Sequence, residues 1–239
     1  MKIGVIVPNV GMSAAALDKR RRFLSAHARP GTEVVVVKNN QGPVSIESES
    51  ERDIASCQIV EHMIRISDQG FDAFIPWCGG DPAVTAGRER VRQVVVGPLQ
   101  SACSYAALLG FRFSIITPAS NPRIIRQRVR SMGFSDALAS VRSLNRPVLE
   151  LRNDLTSTRQ LIANAVSTAV QDDGADAVVL ACMALFGLPQ TLENLPVPVV
   201  DPALAALAMA ESLVAMNLVH ATITYPFPKQ QERKTSINE

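Results

Sequence analysis

The chain has 239 residues, of which 47% are hydrophobic and 19% are charged, and its formal net charge at pH 7 is +2. This composition indicates a folded globular protein with a substantial core, and it excludes an intrinsically disordered chain. The near-neutral charge gives no indication of nucleic-acid binding. The apolar runs are too short for a signal peptide or a membrane span. The four cysteines predict reduced thiols in the cytoplasm.

Apolar runs and helical segments alternate along the chain. Strands are predicted at residues 2–7, 33–37, 72–77, 94–96, 112–117, 148–151, 176–181 and 197–200. Helices are predicted at residues 13–27, 50–69, 82–92, 99–109, 122–132, 155–172 and 202–217. The predicted helix N-caps are Ser13, Ser50, Asp81, Asn121 and Asp201. Strands that are apolar throughout and interleaved with helices indicate an α/β fold with parallel sheets covered on both faces.

Two segments half a chain apart resemble each other. Cys78 and Cys182 each end an apolar run, with a glycine eight residues upstream and an Asp-Ala pair beginning six residues upstream. The same separation of 104 residues relates Val96-Gly97-Pro98 to Val200-Asp201-Pro202 and Pro43-Val44 to Pro147-Val148. We therefore expect two copies of one unit: a first lobe at residues 1–98, a second at 99–204, residues 205–225 returning to the first lobe, and a tail at 226–239.

The repeated cysteines are the strongest candidates for chemistry. Ligands of open parallel sheets bind beyond the carboxyl ends of the strands, and both cysteines lie at such ends, as do Asn9 and Thr117. Two thiols on opposite faces of one carbon can remove a proton and return it without a cofactor. Each cysteine taken alone is more typical of a small core residue, but the repeat and the adjacent Gly79-Gly80 pair favour catalysis. Asn9 and Thr117 are equally compatible with structural roles.

The surroundings of Cys78 and Cys182 predict how the thiols behave. Asp81 and Pro82 are expected to open a helix next to Cys78, and the dipole of that helix would favour the thiolate. Asp81 is the single charged residue expected near the two cysteine loops, which indicates a pocket for a neutral substrate part.

Other candidate residues receive a structural interpretation. The basic run at residues 19–22 is expected to be a solvated helix face rather than a phosphate site. Cys57 and Cys103 lack neighbouring glycines or helix starts, which favours packing. No Cys-x-x-Cys or His-x-x-x-His spacing occurs, so we predict no metal site.

Four motifs in order carry a family resemblance: Val7-Pro8-Asn9, Gly42-Pro43-Val44-Ser45-Ile46-Glu47, Cys78-Gly79-Gly80-Asp81-Pro82 and Val178-Val179-Leu180-Ala181-Cys182. With them the chain resembles the aspartate/glutamate racemase superfamily, and within it the hydantoin racemase branch, which includes allantoin racemases. The resemblance implies two pseudo-symmetric α/β lobes, each a short parallel sheet flanked by helices, with the active site in the cleft between them. It implies Cys78 and Cys182 as catalytic acid and base, and a substrate pocket formed by Asn9, Ser45, Gly79, Gly80, Thr117, Met183 and Ala184.

The function expected from the resemblance is cofactor-independent racemisation of a 5-substituted hydantoin or allantoin. Relatives usually carry a bulkier residue at Gly79, so we expect this glycine to widen the side of the pocket that holds the ring substituent. The alternatives are a cis–trans isomerase, a decarboxylase or an amino-acid racemase of the same superfamily, or a catalytically silent protein that binds a metabolite. We expect a homo-oligomer whose partner is a small-molecule substrate, without nucleic acid or membrane.

Overall fold

The structure is a computed structural model, and it describes residues 1–118 and 122–228. Within these ranges the parallel strands form two four-stranded sheets. The first contains β1 (Lys2–Val7), β2 (Glu33–Lys38), β3 (Ala73–Pro76) and β4 (Val94–Val95) in the order β2-β1-β3-β4. The second contains β5 (Phe113–Thr117), β6 (Leu138–Ser143), β7 (Ala177–Leu180) and β8 (Val199–Val200) in the order β6-β5-β7-β8. The two orders are equivalent, which confirms the predicted α/β fold with two related lobes.

The helices follow the strands in chain order: α1 (Ala14–His27), α2 (Glu49–Ile66), α3 (Val84–Arg88), α4 (Pro98–Leu109), α5 (Pro122–Ser131), α6 (Leu155–Gln171) and α7 (Pro202–Ala215). Helix α4 follows the first sheet in sequence but packs on β5, β7 and β8 of the second, whereas α7 follows the second sheet and packs on β3 and β4 of the first. The two helices also contact each other. This exchange ties the lobes together and fixes the cleft between them. Among the described helices, none combines the length and the apolar character that a membrane span requires.

One predicted strand is wrong and one strand was missed. Residues 148–151, predicted as a strand, contain a 3-10 turn (Val148–Glu150), and the edge of the second sheet is formed by β6 instead. The sequence of β6, LASVRS, mixes small, polar and apolar residues, and only Leu138 in it is buried. An edge strand that is half exposed lacks the continuous apolar run by which the other strands were found.

Two of the predicted helix caps are as expected. The Ser13 side chain accepts a hydrogen bond from the Ala16 N–H, and the Asp201 side chain accepts one from the Ala203 N–H. The cap of α2 is Ser48 rather than Ser50, because Ser48 and Glu51 form a capping box. Asn121 lies outside the described residues.

Asp81 caps a different helix from the one predicted. Its carboxylate accepts hydrogen bonds from the N–H groups of Leu99 and Gln100, at 2.7 and 2.8 Å, in the first turn of α4. Gly97 permits this approach, because a Cβ atom there would lie 2.7 Å from the Asp81 carboxyl carbon. The segment after Cys78 is therefore fastened to the helix that covers the second sheet.

Candidate active site

One cavity of about 470 Å³ lies at the carboxyl ends of the strands and is lined by residues of both lobes. The structure brings all of the sequence-predicted site residues together around it: Asn9, Ser45, Cys78, Gly79, Gly80, Thr117, Cys182, Met183 and Ala184. This convergence follows from the equivalent position of each cysteine in its sheet. The roles of these residues remain predictions.

The two cysteines end their strands in the same turn. Cys78 and Cys182 each lie two residues beyond a central strand, β3 and β7 respectively. The N–H of each cysteine donates to the carbonyl oxygen two residues earlier, that of Pro76 or Leu180, at 2.9 Å in both cases. Neither thiol is in a disulfide; Cys182 is buried, and Cys78 is partly exposed to the cavity. Two equivalent thiols therefore face one cavity from opposite lobes.

Gly79 lets the two cysteine loops approach each other. A Cβ atom at this position would collide with the carbonyl oxygen of Ala181 and would lie 2.8 Å from the Cys182 nitrogen. The prediction that this glycine widens the substituent side is wrong, because the space beside its Cα is occupied by backbone of the opposite loop. The absence of a side chain at Gly79 allows the two cysteine loops to contact each other, directly beside both thiols.

Burial favours the protonated form of both thiols. Burial raises the pKa of Cys78, against the opposing effect of the Gly80 N–H, whose nitrogen lies 3.5 Å from the sulfur. Burial raises the pKa of Cys182 to about 12, and the N–H groups of Ala184 and Leu185 act in the opposite direction. A negative charge on Cys78 raises the pKa of Cys182 further.

The helix predicted to favour the Cys78 thiolate does not begin beside it. Helix α3 has five residues and starts only at Val84, after Ala83 in a left-handed conformation with φ 64°. The groups that favour the Cys78 thiolate are therefore the local N–H of Gly80 and the charges of Arg128 and Arg52, rather than a helix dipole.

The positive charges of the cavity were not predicted from the sequence. Among the described residues, five arginines line it: Arg20, Arg52, Arg128, Arg146 and Arg152. Arg20 belongs to the basic run that was predicted to be solvated, yet it is 8% exposed, with its guanidinium over the ring of Trp77 at 5.6 Å. The signal that could have found it is its spacing of four residues from Leu24, the buried leucine of α1.

Two of the described glutamates also line the cavity, and each has a hydrogen-bond partner. The Ser45 hydroxyl donates to the Glu47 carboxylate at 2.9 Å, and Arg128 donates to the Glu49 carboxylate at 2.7 Å. The prediction that Asp81 is the single charge near the loops is wrong, because arginines reach the cavity from α1, α2, α5 and the segment before α6. The resulting positive excess stabilises an anion in the cavity and disfavours a cation.

Asn9 has a structural partner at the cavity wall. Its side-chain amide donates to the carbonyl oxygen of Val44 at 3.1 Å, which joins the end of β1 to the segment after β2. Thr117, at the end of β5, is 2% exposed. Met183 and Ala184 lie in a 3-10 turn directly after Cys182.

Comparisons with known proteins place this geometry in context. Residues 3–210 match the family model of Asp/Glu/hydantoin racemases. A hydantoin racemase of Pseudomonas sp. (strain NS671) is 31% identical over 237 residues, which cover 97% of this chain and 94% of that protein. The solved structure of allantoin racemase from Pseudomonas fluorescens has a TM-score of 0.91 at 30% identity and covers 97% of this chain and 99% of that one. Allantoin racemase from Klebsiella pneumoniae has a TM-score of 0.89 at 32% identity and covers 96% and 94%. The similarity therefore includes both lobes and the cavity between them.

Proposed function

The chain belongs to the Asp/Glu/hydantoin racemase family and is an isomerase of the racemase type, and on this premise we propose that it racemises a 5-substituted hydantoin or allantoin with two cysteines and no cofactor. The observation that supports this most directly is the pair of unbonded thiols at equivalent strand ends of one cavity. The chain's similarity to hydantoin racemases and to allantoin racemases supports hydantoins as the substrate class.

The proposed reaction moves one proton between two faces of one carbon. The C5–H bond of a hydantoin lies between a carbonyl carbon and a nitrogen, which makes it moderately acidic. The thiolate of one cysteine takes the proton, and the electron pair of the C–H bond passes into an enolate. The thiol of the other cysteine then protonates C5 from the opposite face. Turnover leaves the first cysteine as thiol and the second as thiolate, ready for the reverse direction.

The charges of the cavity suit this intermediate. The substrate enters neutral and becomes anionic only when C5 loses its proton, so a positive lining acts more strongly on the transition state than on the ground state. Val44 and Leu149, which are 61% and 59% exposed, contribute apolar surface to the cavity lining, and the substituent at C5 can pack against it.

Polarimetry on a single enantiomer of a 5-alkyl hydantoin or of allantoin tests the proposal. We expect the optical rotation to fall to zero without loss of material. The rate of this change should be insensitive to thorough chelation and should fall to the uncatalysed rate after thiol alkylation. Because two thiols perform both proton transfers, neither a metal nor a Schiff-base cofactor is required. Release of carbon dioxide would instead identify a decarboxylase, and binding without change of rotation would identify a silent binding protein. An activity lost on chelation and restored by a metal ion would contradict the cofactor-free mechanism.

The pH dependence follows from the ionisation of the thiols. Since burial raises the pKa of both Cys78 and Cys182 above the ordinary value of 9.0, the fraction of molecules with one thiolate and one thiol grows as pH rises from 7 to 9. We expect kcat/KM to rise by up to about tenfold per pH unit in this range, after subtraction of the uncatalysed rate. A profile that is flat or falls between pH 7 and 9 would contradict this assignment of acid and base.

A further inference from the structure

Two arginines hold the two cysteine loops in the same way. Arg52 Nε donates to the carbonyl oxygen of Gly80 at 3.2 Å, and Arg152 Nε donates to the carbonyl oxygen of Ala184 at 2.7 Å. Gly80 and Ala184 both lie two residues after the cysteine of their own loop. The pseudo-symmetry of the lobes therefore extends from the thiols to the guanidinium groups that fasten their loops.

The residues held by these arginines are the ones that contact the sulfurs. The N–H of Gly80 points to the Sγ of Cys78, with 3.5 Å between nitrogen and sulfur. The N–H of Ala184 acts on Cys182 in the same sense, because it lowers the pKa of that thiol. The N–H and C=O of one residue belong to adjacent peptide planes that share its Cα, so a hydrogen bond that holds the carbonyl limits how far the N–H can move.

Each arginine belongs to the lobe of the cysteine whose loop it holds. Arg52 lies in the first turn of α2, and Arg152 lies just before Asp154, the N-cap of α6. Arg152 holds its loop more firmly, because Nη2 also donates to the carbonyl oxygen of Phe186 at 2.6 Å and the guanidinium lies 4.0 Å from the centre of the Phe186 ring. Arg52 has further ionic contacts, to Glu49 at 3.9 Å and to Asp53 at 3.5 Å.

We propose that Arg52 and Arg152 are a matched pair of positioning residues, each of which holds one cysteine loop so that the N–H two residues on stays directed at the sulfur. The inference rests on the proposed function, in which the two cysteines are acid and base. The coupling of each arginine to one cysteine can nevertheless be measured without any substrate.

The charged groups around each thiol differ, which makes the two couplings separable. Besides burial and the Gly80 N–H, Cys78 faces Asp81, whose carboxylate raises the thiol pKa, and Arg128 and Arg52, which lower it. Cys182 faces Cys78, Arg152 and Arg20. Removing Arg52 leaves the charge of Arg128 at Cys78, and removing Arg152 leaves that of Arg20 at Cys182.

The test is the pH profile of alkylation of each cysteine by iodoacetamide, quantified separately at Cys78 and Cys182 by mass spectrometry. We expect Arg52→Gln to shift the profile of Cys78 to higher pH and to move that of Cys182 much less, and Arg152→Gln to do the reverse. The Lys variants at both positions retain the charge and one donor, and should give intermediate shifts. Arg65→Gln, an exposed arginine of the same helix as Arg52, is the matched control and should move neither profile.

The rate of racemisation is the second measurement. With a 5-substituted hydantoin we expect each Gln variant to lose at least about tenfold in kcat/KM, equally for both enantiomers, because the equilibrium constant of a racemisation is one. Profiles that stay unchanged, or that shift equally at both cysteines in either Gln variant, would overturn the proposal. If a Gln variant does not fold by circular dichroism, the corresponding Lys variant decides. If the wild-type protein fails to racemise hydantoins, the proposed function falls, whereas the alkylation profiles still decide whether each arginine controls its own cysteine.

Discussion

Replacing either Cys78 or Cys182 by serine is expected to lower racemisation by about 10²–10⁴-fold while the protein remains folded. A serine hydroxyl is a far weaker acid than a thiol, so it does not supply the base on its side of the substrate. The fold tolerates the exchange because neither sulfur is in a disulfide and the volume changes little. The buried hydroxyl at position 182 costs about 1–3 kcal/mol of unfolding free energy if it lacks a partner, and the partly exposed position 78 less.

The single variants also separate the two half-reactions. The cysteine that remains can still remove and return the C5 proton on its own face, so each variant is expected to exchange that proton of one enantiomer with deuterium from the solvent. The two variants should act on opposite enantiomers. Proton NMR in D₂O, beside polarimetry, measures this exchange. Cys57→Ser, at an exposed position outside the cavity, is the control and should behave as wild type. Near-normal racemisation by either the Cys78 or the Cys182 variant would show that the replaced cysteine has a structural role and is not the acid or base.

The sequence reveals those features of the site that depend on where each strand ends. Cys78 and Cys182 were found because each ends a central strand that is apolar throughout, and the chain repeats this unit after 104 residues. Parallel strands deliver their carboxyl ends to one edge, so two such cysteines meet once the lobes pack against each other. The two related lobes followed from the same pattern.

The parts that sequence did not reveal depend on long side chains and on contacts between distant segments. Arg52 and Arg152 lie 26 and 30 residues before their cysteines, and nothing in their local sequence distinguishes them from solvated arginines. Asp81 was expected to cap the next helix, but a backbone bend with φ 50° turns it to α4 instead. Gly79 was predicted to leave space for the substrate, whereas the backbone of Ala181 and Cys182 occupies the position that a side chain would need. In each case tertiary packing determines the partner.

The discrimination between hydantoins and free amino acids is the second large effect that we expect. A zwitterionic amino acid would bring an ammonium group into a cavity lined, among the described residues, by five arginines. Of the two described glutamates in the lining, Glu49 is paired with Arg128, and Glu47 accepts a hydrogen bond from Ser45, so the arginines outnumber the carboxylates. Burying an unpaired ammonium costs several kcal/mol, and a positive lining increases that cost. A hydantoin ring is neutral and offers amide donors and acceptors to the backbone of the cysteine loops.

We therefore expect kcat/KM for allantoin and for a 5-alkyl hydantoin to exceed that for L-glutamate and L-aspartate by at least about a hundredfold, which corresponds to about 2.7 kcal/mol in transition-state free energy. The matched comparison is L-glutamate with the hydantoin that carries the same carboxyethyl side chain, because the two differ in the ring and the ammonium but not in the side-chain carboxylate. That hydantoin should be turned over well, since a positive lining accepts its carboxylate. Equal turnover of the pair would show that the ammonium meets no penalty, and amino acids would then replace hydantoins as the substrates.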